Sequence, residues 1–266
     1  MIKLSENEIR RFITAKQELI FDIFDTVDST NTYLKAKAAA NAEEGTVAIA
    51  EMQTAGKGRM GRAFLSPDGS GIYMSILFRP KDAAFNGVLI TACAAVAVSE
   101  AIEAVTGIKT DVKWVNDLYF NGKKVAGILA EGAIDPKNGL FEYAMLGIGV
   151  NLIDTFKGTA LEQIASGLYP SMQSNSLFDM RHKLIAEILN KIFRYYTKGL
   201  TVCKEELLTK YREKLFIIGK QVDVLSYTDV KEATVISLCD DFTLKVRYSD
   251  GSENTLNSGE VRLKIK

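Results

Sequence analysis

The sequence predicts a mixed helix-and-strand protein in two parts, and three observations carry that reading. Strand-like and helix-like segments alternate up to about residue 215. About fifty residues of short, closely spaced strands follow, which suit a small β-barrel better than another α/β layer. A chain of 266 residues is long for a single core and suits one large unit with a small one.

Each element has its own signal. Residues 5–18 read as a short amphipathic helix and 20–27, IFDIFDTV, as a strand. DSTNTYLKAKAAANA follows, with Asp28 or Ser29 as helix cap ahead of good helix formers. Strands at 46–52 and 71–78 flank a glycine-rich loop, and 86–105 is apolar on nearly every face, the mark of a deeply buried helix. Extended segments at 111–120, 123–134 and 141–150 follow, with Asn121-Gly122 and Asn138-Gly139 as hairpin signals. Leu177, Met180, Leu184, Ile185, Ile188, Leu189, Ile192, Phe193 and Tyr196 recur at helical spacing. After Arg212 the strands are 221–226, 230–238, 242–248, 252–256 and 260–265, parted by turn residues such as Asp250-Gly251.

Composition excludes several classes. Thirty-three basic residues balance thirty-three acidic ones, which argues against a general polyanion binder and makes any anion site local. Cys93, Cys203 and Cys239 are odd in number, widely spaced and form no CxxC, which argues against a disulfide framework and a zinc site. The N-terminus is charged without a cleavage-type apolar stretch, and no run approaches eighteen apolar residues. The expectation is a reducing cytoplasm, with neither secretion nor a membrane span.

Gln53 to Arg62, QTAGKGRMGR, carries the first chemistry. Gly56, Gly58 and Gly61 match the dinucleotide-binding GxGxxG, yet that motif needs a helix opening at the third glycine. Here RAFLSPDGSGIY follows, and Pro67, Gly69 and Gly71 forbid one. A P-loop would continue with Lys and Ser or Thr; Arg62 and Ala63 stand there instead. A kinase loop would need HRD and DFG downstream, and neither occurs. The loop can bring backbone N–H groups to a ligand while Lys57, Arg59 and Arg62 surround it, which suits an elongated anion. A solvated basic loop is the plainer alternative. Glycine content predicts mobility when the loop is empty.

Lys113 to Gly132, KWVNDLYFNGKKVAGILAEG, is the second constellation. Lys113, Asn116 and Asp117 end one extended segment, and Lys124 returns past an Asn-Gly turn. Such a hairpin can hold a nucleotide, with lysines on phosphate oxygens, Asp117 on magnesium and Asn116 on a base or the metal shell. A charged hairpin end is the alternative.

Ser29-Thr30-Asn31, Gln53 to Arg62, Lys113-Trp-Val-Asn-Asp-Leu118, Lys124-Val-Ala-Gly-Ile-Leu129 and Gly147-Ile-Gly-Val-Asn151 together resemble the ordered motifs of biotin–protein ligases, in register from about residue 25 to 151. The resemblance implies an α+β fold: a mixed-sheet catalytic domain of the class II aminoacyl-tRNA synthetase and biotin ligase type over 1–215, then an SH3-like β domain over 216–266. It implies an ATP-dependent enzyme, a biotin–[acetyl-CoA-carboxylase] ligase, that forms biotinyl-5′-AMP and passes biotin to a lysine of a biotin carboxyl carrier domain. A lipoate ligase, or a silent biotin-binding regulator, is the alternative.

By motif position, Ser29, Thr30, Asn31 and Gln53 would hold biotin, the ureido ring being met by Ser29, Thr30 and Gln53 with backbone at Gly56, Lys57 and Gly58. Gly127, Leu129, Gly147 and Gly149 would line its slot. Arg59 and Lys124 would bridge biotin carboxylate and α-phosphate, Arg62 and Lys113 would face the ATP phosphates, and Asp117 would hold Mg2+. Asn116 and Asn151 would contact adenine or ribose, and Glu260 and Lys264 would help close the site or receive the carrier. Lys57, Val115 and Phe64 depart from the family's usual arginine, proline and tryptophan, and none of the three removes a reacting group.

About twenty residues precede the first strand, too few for a winged helix–turn–helix, so DNA binding is not expected. A homodimer stays open. His182 has no partner ligand and reads as structural or solvent-facing, Trp114 as core or as packing beside the nucleotide, and Asp22, Asp25 and Asp28 straddle a strand and turn rather than forming a carboxylate pair.

Overall fold

A computed structural model of the chain describes residues 3–82, 85–226, 229–257 and 262–265, the last four as backbone only. Helix α1 (Glu6–Arg10) leads to strand β1 (Ile20–Val27). The helix predicted over 5–18 stops early because its later amides turn elsewhere: Thr14 and Ala15 N–H donate to Asn190 Oδ1 at 2.7 and 3.0 Å. Ser29 caps α2 (Thr30–Ala39), its hydroxyl accepting from the Thr32 N–H. Strand β2 (Thr46–Gln53) runs parallel to β1, and β3 (Gly71–Phe78) antiparallel to β2. Asn86 caps α3 (Gly87–Thr106), which ends on Gly107 at φ 74°.

The segment expected to be extended over 111–120 folds back on itself. It forms β4 (Asp111–Lys113) and β5 (Asp117–Phe120), an antiparallel pair with Lys113 opposite Asp117. The turn between them is held from two sides. Ile128 N–H donates to Asn116 O at 3.0 Å, Asn116 Nδ2 donates to Ile128 O at 2.8 Å, and Tyr211 Oη donates to Val115 O at 3.1 Å. Asn121 and Gly122, at φ 49° and 76°, make the tight turn into β6 (Lys123–Ile134), and β7 (Phe141–Asn151) returns beside it. The first sheet has seven strands in the order β1-β2-β3-β7-β6-β5-β4. Among these strands β1 and β2 pair in parallel and the others antiparallel, so the sheet is mixed.

Two helices follow, α4 (Ser174–Lys198) and α5 (Lys204–Lys214). The second lies where no periodicity predicted an element, since it buries only Leu207, Leu208 and Tyr211. Strands β8 (Gln221–Leu225), β9 (Val230–Leu238), β10 (Leu244–Tyr248), β11 (Glu253–Leu256) and β12 (Arg262–Ile265) form a second, antiparallel sheet in the order β11-β10-β9-β8-β12. The strand predicted over 242–248 starts later because Phe242, at φ 64°, belongs to the turn.

Helix α2 lies over β2, β3 and β7, while α3 packs on β5 and β6 and beneath α4 and α5. The sequence showed no run near eighteen apolar residues, yet α3, with a mean hydropathy of 1.9, is long and apolar enough to cross a membrane. The fold spends that apolarity on its core: Ile90, Val96, Val98 and Ile102 are buried on different faces of the helix. Each such side chain contributes about 1.5–3 kcal/mol.

Contacts also tie the two sheets together at the β4–β5 turn. Trp114 Nε1 donates to Phe242 O at 2.8 Å, and the Tyr211 and Phe242 rings meet edge-on at 5.7 Å. Trp114 is therefore a core residue with its indole N–H satisfied.

His182 is buried and structural. Its Nε2 accepts from the Ser5 N–H at 3.0 Å, which leaves Nδ1 to donate to Phe178 O at 2.7 Å. Beside it, Arg181 Nη2 pairs with Glu51 Oε2 at 2.6 Å, and Leu4 N–H donates to Glu51 Oε1 at 2.6 Å. A second proton on His182 would destroy the Ser5 bond, and burial lowers its pKa below the ordinary 6.5, with Arg181 adding to the effect and Glu8 and Asp179 opposing it. The folded value is the lower one, so this stability is complete above 6.5 and is lost as pH falls toward the folded pKa. Urea unfolding midpoints of wild type should fall between pH 7.5 and 5 by more than those of His182→Asn, and parallel declines would refute the assignment.

Candidate active site

Strand periodicity builds the floor of a slot on the α2 side of the first sheet. Ala144, Leu146, Ile148 and Val150 of β7 enter the core beneath α3, so Gly147 and Gly149 face α2. Neighbouring strands continue the rows: Leu129, Gly147 and Ser75 lie side by side, as do Gly127, Gly149 and Tyr73. The missing side chains are required. A Cβ on Gly147 would lie 2.5 Å from Asn31 Oδ1, and one on Gly149 would lie 2.4 Å from the Phe64 ring.

The α2 end closes over this floor with a chain of hydrogen bonds. Asn31 Nδ2 donates to Glu131 Oε2 at 2.7 Å, and Ser75 Oγ offers its hydrogen to Asn31 Oδ1 at 2.6 Å and Thr30 Oγ1 at 2.7 Å. Gln53 Oε1 accepts from the Thr30 N–H at 2.9 Å and faces Thr30 Oγ1 at 3.1 Å, while Gln53 Nε2 donates to Ser66 Oγ at 2.9 Å. Ser29, Thr30 and Asn31 are buried, and all three line the slot with Gln53.

The glycine loop is a short ribbon folded back over the slot. Phe64 N–H donates to Gly56 O at 2.8 Å and Gly58 N–H to Arg62 O at 2.7 Å. A single 3-10 turn, Arg59–Gly61, makes its tip, and Gly61, at φ 72°, lets the chain return extended instead of opening a helix. Those bonds give the ribbon's backbone fixed partners. Lys57, Gly58, Arg59 and Phe64 reach the slot; Gly56 packs under Phe64 O and Ser66, and Arg62 is exposed.

Positive charge collects at the other end. Lys124 Nζ pairs with Asp117 Oδ1 at 2.6 Å, and Arg59 Nη1 donates to Asn116 Oδ1 at 3.1 Å. Burial lowers the Lys113 pKa, Asp117 opposes that, and Lys124 and Arg62 add to it. Burial likewise lowers that of Arg59, against Asp117 and Tyr211. Tyr119, beside the cluster, is pushed up to about 12 by burial and Asp117. Lys113, Lys124 and Arg59 thus share Asp117 as their common carboxylate in a partly desolvated corner, with Arg62 adding positive charge from its exposed rim, an arrangement that stabilises added anions.

The slot encloses about 460 Å³, open solvent at its mouth included. Of the residues predicted from sequence, Gly127, Leu129, Gly147, Gly149, Asn116 and Lys124 also line it. Lys113 and Asp117 stand just behind, and Asn151 bonds the Ser166 carbonyl through Nδ2 at 3.4 Å. Glu260 and the side chain of Lys264 lie outside the described residues. Sequence reasoning missed Met74, Ile128 and Ile148, which border the slot although the pleat turns them toward the core, and Ser75 and Glu131, which support its wall. A lone serine in the apolar strand GIYMSILF was the legible signal for Ser75.

The biotin/lipoate A/B protein ligase family matches the chain over residues 23–151. The bifunctional ligase/repressor BirA of Bacillus spizizenii is 40% identical over 212 residues, which cover 76% of this chain and 63% of that protein. The chain thus spans less than two thirds of that relative's length. A biotin–[acetyl-CoA-carboxylase] ligase of Mycobacterium tuberculosis is 31% identical, covering 76% of this chain and 73% of its own. Among solved structures, a biotin protein ligase from Aquifex aeolicus in complex with biotin and ATP superposes with a TM-score of 0.72 at 26% identity, covering 93% of this chain and 99% of that one.

Packing of Asn31 onto a bare Gly147 gives a test of the floor. Gly147→Ala should destabilise the protein by about 1–3 kcal/mol by driving Asn31 from its buried partners. In an Asn31→Ala background the same change should cost much less. Denaturant unfolding of the four proteins measures this coupling, and strictly additive losses would contradict the contact.

Proposed function

The chain belongs to the biotin/lipoate A/B protein ligase family, and we propose that it joins biotin to ATP as biotinyl-5′-AMP and transfers the biotinyl group to a lysine of a carrier domain in a biotin-dependent carboxylase. One observation carries this reading: a neutral, amide-and-hydroxyl-lined slot runs into a corner where Arg59, Lys113 and Lys124 converge on Asp117. That polarity matches a ligand with a neutral polar head, an apolar body and an anionic tail.

The uncharged ureido head belongs at Thr30 and Gln53, and the valeryl chain over Gly147 and Leu129. Its carboxylate then meets Arg59 and Lys124. Attack of the carboxylate on the α-phosphorus of ATP expels pyrophosphate, and Lys113 and Arg62 stabilise the negative charge carried away. The carrier's lysine amine next attacks the acyl carbon and AMP leaves. Neither step needs a protein nucleophile, so orientation and fixed positive charge are this chain's contributions.

Mg2+ commonly takes one or two carboxylates together with substrate phosphates and water. Asp117 is the carboxylate placed for that, and no cluster of three metal-binding side chains occurs among the described residues. The ion would supply neutralisation of the phosphates. Charge opposing Lys124 is Asp117's role in the ligand-free protein.

Biotin-dependent exchange of labelled pyrophosphate into ATP tests the reading, with lipoate as the control acid. Exchange with biotin and none with lipoate is the expected result, and exchange with lipoate alone would overturn it. Arg59→Ala should speed leakage of the adenylate by about tenfold or more, through loss of a charge-assisted contact of about 1.5–3 kcal/mol. An unchanged adenylate dissociation rate would refute that role.

A pH profile probes Lys113 separately. Its depressed pKa means that kcat/KM for ATP falls on the alkaline side below the 10.5 of an ordinary lysine. Lys113→Arg should move that limb upward, because arginine keeps its proton. An unmoved limb would assign the titration elsewhere.

A further inference from the structure

The hydrogen-bonded chain of side chains behind the slot is one hydrogen short. Three contacts, Ser75 to Asn31, Ser75 to Thr30 and Thr30 to Gln53, need three hydrogens, and two hydroxyls supply two. The other ends are committed. An ionised Glu131 only accepts, so Asn31 turns Nδ2 toward it and presents Oδ1 to Ser75. Ser75 must then spend its hydrogen on Asn31. Gln53 is fixed at the far end, since its Oε1 accepts from the Thr30 N–H and its Nε2 donates to Ser66 Oγ. The shortage is therefore driven to Thr30 Oγ1 and Gln53 Oε1, two oxygens 3.1 Å apart in the slot wall with one hydroxyl hydrogen, that of Thr30, left for both the Ser75 and Gln53 contacts.

We propose that Glu131, which does not itself line the slot, is a specificity-determining positioning residue: its charge orients the Asn31–Ser75–Thr30 chain so that the slot wall at Thr30 and Gln53 demands an N–H donor from the ligand. This deepens the biotin reading and rests on it, since a ureido ring brings N–H groups. A neutral partner at this position permits the opposite orientation. In the Glu131→Gln variant the new side-chain amide donates to Asn31 Oδ1, Asn31 Nδ2 to Ser75, Ser75 to Thr30 and Thr30 to Gln53, and every contact has its hydrogen. The ligand-free protein is relieved and the demand for a donor disappears.

An uncommon pair of effects is expected. Glu131→Gln should melt at or above the wild-type temperature while binding biotin about tenfold more weakly, the worth of roughly one hydrogen bond. Calorimetric titration with biotin and with the cyclic carbamate analogues, in which a ring oxygen replaces one ureido N–H, reads the specificity. Wild type should discriminate against one regioisomer by about tenfold or more, and Glu131→Gln should lose most of that preference. The KM for biotin in pyrophosphate exchange should rise with little change in kcat. Adding Asn31→Asp to Glu131→Gln moves the carboxylate one link along, forces Ser75 to donate outward again, and should restore the discrimination.

A merely structural Glu131 would give a less stable variant with an unchanged biotin-to-carbamate ratio, and either that ratio or failure of Glu131→Gln to fold overturns the proposal. Failure of wild type to bind biotin would overturn the functional reading itself, and this inference with it.

Discussion

Alternation along β6 and β7 is the constraint on which the site depends. The pleat sends Ile148 and Val150 into the core and leaves Gly147 and Gly149 facing α2, so one geometric rule supplies both a buried sheet and a bare floor. A slip of one residue would turn Gly147 and Gly149 toward the core and put branched side chains where Asn31 and Phe64 now rest. Register is therefore enforced by the core and exploited by the site.

The remaining groups arrive from elements that this floor lets come close. The α2 N-terminus drops Thr30 and Asn31 onto it, the glycine ribbon brings Arg59 and Phe64 from above, and the β4–β5 hairpin brings Lys113 and Asp117 to one end. That hairpin is not held by the first sheet alone. Trp114 and Tyr211 join it to Phe242, so the second sheet shares in placing the cationic corner. Because that corner is partly desolvated and short of negative charge, an anionic ligand replaces solvent as its counter-charge.

Much of this was legible in the residues, and the failures have physical causes. Strand bounds at 20–27, 71–78 and 123–134 followed from extended, strand-like segments bounded by turn residues, and the Asn121-Gly122 turn from its positive φ demand. The break inside 111–120 was not legible, because the groups holding its turn, Asn116 to Ile128 and Tyr211 to Val115, are tertiary. Helix α5 was missed because it shows too little apolar surface to set a period. Motif residues pointed to the slot, since glycines and cations carry their function in their type. Ser75 and Glu131 did not, because a hydroxyl and a carboxylate gain their meaning only from what they face.

The most direct test is a crystal structure of the protein with biotin and a non-hydrolysable ATP analogue. The expected result is the ureido ring at Thr30 and Gln53, with the biotin carboxylate and α-phosphate both within hydrogen-bond reach of Arg59 and Lys124. Ligand bound away from that floor, or a carboxylate turned from the cationic corner, would contradict it.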